Sequence, residues 1–320
     1  MQLLYPETAY YELIPLQISI NQAQDRKIAS LVNYLNPNSL KEFELREAKA
    51  IGCETLLSLR RHGESLSSLS LTLNKEILIL LHLLGPCPNL DILEASGKSD
   101  ESNDIPPMPS ARAWLKGCKR LQSLRILDSS LGPPLTIDLL LGDVPLRKLH
   151  LCPHKTGYEK TFYQALGAKT SLRELTLRFT GNALNGEHHP DPPDERFVAA
   201  ILNLESLESL NITCRSLKED FIISAANRLV YLRSFDILCG LLSDNIWPSM
   251  RKLRSLKSFT SYSENVFSAN KILSYISKLG PSNEGLCLRL SYPQTGFSDK
   301  QISRLQTMLK AKVGGTLDFW

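Results

Sequence analysis

The chain has 320 residues, of which 42% are hydrophobic, 7% aromatic and 22% charged, with a formal net charge of +4. This composition is too apolar for a disordered polymer and too charged for a membrane-embedded one, and its basicity is too mild to argue for nucleic-acid binding. It holds 59 Leu and only 6 Val, which speaks against a doubly wound sheet or a barrel, whose strands need β-branched residues.

The opening Met1-Gln-Leu-Leu-Tyr-Pro-Glu-Thr8 has neither a basic n-region nor an apolar h-region, so no signal peptide is expected. A strand is predicted over Leu13 to Ile20 and a helix over about Asp25 to Tyr34, making residues 1–39 an N-terminal cap and first unit. The longest apolar stretch, Ile77 to Leu84, is broken by His82 and is under half a membrane span. The seven cysteines are odd in number, evenly spread and never in C-x-x-C, which predicts free thiols in a reducing compartment. An intracellular protein, cytoplasmic or nuclear, is expected.

From there the pattern L-x-x-L-x-L runs down the chain. It reads Leu13/Leu16/Ile18, Leu40/Phe43/Leu45, Leu66/Leu69/Leu71, Leu90/Leu93/Ala95, Leu121/Leu124/Ile126 and Leu146/Leu149/Leu151. It continues as Leu172/Leu175/Leu177, Leu207/Leu210/Ile212, Leu232/Phe235/Ile237, Leu256/Phe259/Ser261, Gly285/Leu288/Leu290 and Gly314/Leu317/Phe319. These twelve occurrences are 24 to 35 residues apart, the spacing of a repeat architecture. Between them, Phe197/Ile201/Leu204, Ile272/Ile276/Leu279 and Ile302/Leu305/Leu309 each place one apolar stripe on a short helix. Neither strand nor helix can bury its apolar side alone, so neighbours must stack. The expected fold is an α/β leucine-rich repeat solenoid, a horseshoe with a parallel concave sheet, a helical convex face and about 12 strand units. Residues 1–320 would form one such domain, with 284–320 as its C-terminal units and cap.

These residues resemble the leucine-rich repeat proteins of the ribonuclease-inhibitor-like class. Cys87-Pro-Asn-Leu90 and Cys118-Lys-Arg-Leu121, each with Cys three residues before the first Leu, are similar to the cysteine-containing repeats of F-box substrate receptors. The irregular texture also resembles F-box-like repeat proteins of filamentous fungi. The Asn that such repeats place three residues after the last Leu stands here only at Asn74; other units carry Ala48, Lys98, His154 or Arg215. No F-box start is visible before Leu40, so a link to a cullin-ligase adaptor would require an F-box further upstream.

Two long intervals mark polar, Pro-rich insertions at 97–110 and 180–195, candidates for partner contact at one edge of the solenoid. Residues between the leucines should point out of the concave sheet. Candidate partner-binding residues are therefore Glu44, Glu94, Arg125, Lys148, His150, Glu174, Arg178, Asp236 and Arg289. Arg125, Lys148, His150 and Arg178 come from neighbouring units and predict a basic cluster suited to an acidic or phosphorylated protein segment, with Glu174 beside it as a neutralising neighbour.

Catalytic and metal chemistry find little footing. His150, Cys152 and His154 alternate along a strand but lack a fourth ligand, and His188, His189, Asp191 and Asp194 sit in a loop with three prolines. Gly97-Lys98-Ser99 lacks the earlier Gly of a phosphate loop, because position 93 is Leu. No enzyme, metal or cofactor is expected. The resemblance implies substrate recognition in an F-box-type ubiquitin ligase; a repeat-only adaptor and, at greater distance, a Ran-type GTPase-activating regulator are the alternatives.

Overall fold

The structure, a computed structural model, describes residues 16–17, 25–45, 51–72, 80–96, 109–127, 132–152, 160–179, 195–262, 264–291 and 296–319. The insertions at 97–108 and 180–194 lie outside them, as do Arg46, Asn74, Lys98, His154 and the His188 to Asp194 loop. The described residues form two compact units, the first reaching Leu121 and the second starting at Gln122.

In the first unit, strands and helices alternate as β1 (Leu16–Gln17), α1 (Asp25–Tyr34), β2 (Glu42–Leu45), α2 (Cys53–Leu59), β3 (Ser68–Thr72), β4 (Ile92–Ser96) and α3 (Pro109–Gly117). Among the described residues, a 3-10 turn at Leu80–Leu84 precedes β4. The strands are parallel and in register, with Phe43, Leu69 and Leu93 aligned across β2, β3 and β4. All three of these side chains are buried, as the repeat requires.

The second unit carries β5 (Ser123–Leu127), α4 (Gly132–Leu141), β6 (Lys148–Leu151), α5 (Lys160–Ala168), β7 (Glu174–Arg178) and α6 (Glu195–Leu202). It continues with β8 (Ser209–Thr213), α7 (Glu219–Arg228), β9 (Ser234–Leu238), α8 (Ile246–Met250), β10 (Ser258–Ser261), α9 (Ala269–Ser277), β11 (Cys287–Leu290), α10 (Asp299–Val313) and β12 (Thr316–Phe319). Strands β5 to β12 pair in sequence order, all parallel. One buried row reads Leu124, Leu149, Leu175, Leu210, Phe235, Phe259, Leu288 and Leu317. Period-two alternation puts the residues between on the opposite, open face. The fold is thus the α/β repeat solenoid that the leucine spacing predicts.

Side chains link one repeat to the next where a regular Asn ladder would. The hydroxyls of Ser65 and Ser171 donate to the carbonyls of Leu40 and Leu146, 25 residues back, at 2.7 and 2.8 Å. Asn89 donates to Glu64 O, Trp114 to Gly85 O, Lys169 to Gly142 O and Asn283 to Leu256 O. Carboxylates do the same at helix starts. Asp25 accepts from the amides of Gly52, Glu54 and Thr55, capping α2 from the preceding repeat because Gly52 has no side chain to do so. Asp244 accepts from the amide and hydroxyl of Ser268 in the same manner at α9. The last helix closes with its own signals: a Ser298/Gln301 capping box, and Gly314 in the left-handed region at φ 64°.

Candidate functional site

The open face of the second unit is a grid set by strand register. Its central row reads Arg125, His150, Thr176, Asn211, Asp236, Thr260, Arg289 and Asp318. The row on one side begins Ser123, Lys148, Glu174 and Ser209; the row on the other includes Arg178, Thr213 and Leu238. Strands spaced about 4.8 Å apart bring their side chains within reach of one another across neighbouring positions.

Three of the expected residues converge. His150 is the ladder partner of Arg125, and Arg178 stands one strand over and two residues along. His150 is half-buried, and its pKa is pushed down to about 4, first by burial and then by the guanidinium groups of Arg125 and Arg178. Its imidazole is therefore neutral near pH 7, held between two cations. One residue past the end of β6, the Cys152 Sγ lies 3.6 Å from His150 Nε2. Arg125 and Arg178 are both exposed, and the guanidinium fork of Arg178 can meet an incoming anion.

Lys148 belongs to a different contact. Its ammonium lies 2.7 Å from Glu174 Oε1, and this half-exposed ion pair takes it out of the basic cluster. Asp236 lies on β9, two strands beyond Arg178, where Asn211 Nδ2 donates to its Oδ2 at 3.5 Å. Its Oδ1 is enclosed and receives no hydrogen bond. Arg289 is exposed and stands two strands further on, with Thr260 between. Thr260, which strand register places in the central row, is 3% exposed. Its short side chain stands in the row between Asp236 and Arg289, both longer. Glu44 and Glu94 share a row of the first unit with Ser70 between them, half-buried.

The two cysteines that carry the F-box resemblance are core residues. Cys87 and Cys118 are buried, and burial pushes their pKa up to about 11 and about 12. The same repeat position is filled by Lys169, Leu204, Leu229 and Leu253, all buried as well, and by Pro37, Asp143 and Ser282, which are exposed. Where the position is buried, it is filled by whichever side chain can also satisfy its polar atoms.

Among the described residues, no three His, Cys, Asp or Glu side chains gather as metal ligands would, and no helix is long and apolar enough to cross a membrane. The pairing of Asn211 with Asp236 and the repeat-to-repeat carboxylate caps were not visible in the sequence. They join residues 24 to 30 apart, and only the register of the stacked repeats aligns them. No family model matches the chain, and a comparison with curated proteins finds no match.

Proposed function

We propose that this chain is a protein-recognition scaffold that binds without catalysing, and that the open strand face of its second unit takes an acidic or phosphorylated segment of a partner. The convergence of Arg125 and Arg178 on the neutral His150 carries this reading. Two guanidinium groups offer planar paired donors to carboxylate or phosphate, and a face of parallel strands holds them at fixed spacing. Charge reversal at both sites (Arg125→Glu with Arg178→Glu) should abolish partner capture, while Lys148→Ala should leave it intact, since Lys148 is occupied by Glu174. Unchanged capture by the double variant would remove the proposal.

The setting we favour for this binding is substrate recognition in an F-box-type ubiquitin ligase, which rests on the resemblance of the repeats alone. The burial of Cys87 and Cys118, and the free exchange of residue type at their repeat position, favour a second reading: an adaptor with no ubiquitin link. Affinity purification of the protein tagged at its C-terminus in its native cell separates the two. Recovery of a cullin and its F-box-binding adaptor supports the ligase setting; partners without them support the adaptor. Stimulated GTP hydrolysis by a Ran-type GTPase, the most distant reading, would overturn both.

A further inference from the structure

The central row of the open face changes sign along its length. Arg125, His150 and the neighbouring Arg178 stand at one end, the uncharged Thr176 and Asn211 follow, and Asp236 comes next. Asp236 is half-buried, and among the described residues no cation lies within ion-pair distance of it. Its Oδ1 is enclosed without a hydrogen bond, and its Oδ2 has one long contact at 3.5 Å from Asn211. A carboxylate so poorly satisfied is costly, and a donor cation approaching it offsets that cost. The Cβ–Cγ–O torsion of Asp is soft and roughly two-fold, so either oxygen can turn towards an arriving group.

We infer that the segment bound on this face is bipolar: an acidic or phosphorylated residue seated on Arg125, His150 and Arg178, and a lysine or arginine seated on Asp236. This rests on the recognition surface proposed above and adds the second pole. The spacing of the poles follows from the sheet. Arg178 and Asp236 are two strands apart, and His150 and Asp236 three, which is about 10 to 14 Å at about 4.8 Å per strand. An extended chain advances about 3.3 Å per residue, so the two charged residues of the segment are about three or four positions apart. The segment therefore runs across the strands. Between its ends, the half-buried Thr176, Asn211 and Thr213 offer hydroxyl and amide groups to its backbone. For a segment held in one direction, exchanging its two charges would place cation against cation at Arg178 and anion against anion at Asp236.

The test uses the full chain, immobilised, and degenerate peptide pools in which X is an equal mixture of residues other than Cys. One family of pools places Glu and Lys with two or three X between them. Controls place them adjacent, replace Lys by Gln, or replace Glu by phosphoserine. The spaced pools should be retained about ten-fold better than the adjacent and the Gln pools. In Asp236→Asn that advantage should vanish while retention of the Gln pool is unchanged; in Arg178→Ala every pool should weaken. Stronger retention of the phosphoserine pool assigns a phosphorylated partner, and equal retention an acidic one; both keep the bipolar segment. If spaced and Gln pools bind alike and Arg178→Ala still weakens both, the second pole is wrong and the basic site stands. If no pool binds while Asp236→Asn and the parent melt alike, the recognition surface itself is wrong.

Discussion

His150 on β6 is the ladder partner of Arg125 on β5, so a histidine and an arginine stand side by side on the open face, with Arg178 diagonal to them. Burial and these two cations hold the imidazole neutral, with a pKa of about 4. An anion placed over the pair would oppose the electrostatic part of that shift and leave the larger part, due to burial, in place.

The same group predicts how stability depends on pH. His150 binds its proton more weakly in the folded protein than at its ordinary value of 6.5, so between about 6.5 and about 4 the unfolded chain holds more protons. Its contribution is therefore a penalty that grows as pH falls through this window and levels off below it. His150→Gln should flatten the fall in urea midpoint between pH 7 and pH 4.5 relative to the parent chain. An unchanged slope would show that His150 titrates normally in the folded state. Cys152, Arg125 and Arg178 also act on this imidazole and stay in place in the variant, so the difference reports His150.

Asp25 is a cap that reaches across a repeat. Burial alone would raise its pKa, but hydrogen bonds from the Thr55 hydroxyl and from the amides of Gly52, Thr55 and Glu54 hold it below the usual carboxylate value. Asp25→Ala should cost about 1 to 2 kcal/mol, in the range of lost helix caps and buried hydrogen bonds. Because the folded pKa is depressed, this stability is fully present above the ordinary carboxylate value of 3.8 and is lost as pH falls through the folded pKa. Equilibrium urea unfolding at pH 7 and pH 3 checks both the size and the direction. A variant as stable as the parent at pH 7 would show the cap to be dispensable.

Cys87 and Cys118 should be chemically silent. Both are buried, and their thiols are held protonated by burial, with pKa about 11 and about 12. Native alkylation with iodoacetamide at pH 8, read by peptide mass spectrometry, should label the exposed Cys53 and spare these two until denaturant is added. Rapid native labelling of Cys118 would mean that its repeat opens readily.

Tyr275 sits in an aromatic cluster, its ring 5.0 Å from that of Trp247, which in turn lies 4.9 Å from Phe267. Its hydroxyl is buried and has no hydrogen-bond partner, as is true of Trp247 Nε1. Removing an unsatisfied buried hydroxyl while keeping the ring should be neutral or stabilising by up to about 1 kcal/mol. Tyr275→Phe should therefore melt at or above the temperature of the parent. A loss of about 1 kcal/mol or more would show that the hydroxyl is satisfied.

The repeat was legible because its signal is local. Leu124 and Ile126 reach the core by period-two alternation, and Asp25 to Tyr34 forms a helix with the bounds that its sequence predicts. The outward residues of each strand could be named for the same reason. What each of them meets could not, because side chains of opposite charge compete for the same neighbours. Lys148 turned to Glu174 and left the cluster, while Arg178 kept to His150. Thr260, on the outward alternation of β10, is covered.

The spacing of leucines in this chain, by itself, determined that strands and helices alternate, that the strands are parallel, and which side chains fill the core. Those outcomes follow from apolar burial, which depends on periodicity and not on partners. Tertiary structure decided the rest: the sheet register that sets His150 beside Arg125, the reach of Asp25 into the next helix, and the placing of Asp236 two strands from Arg178. Hydrogen bonds and charge pairs act over a few ångströms between residues some 25 positions apart, and only the stacking of repeats brings such residues together.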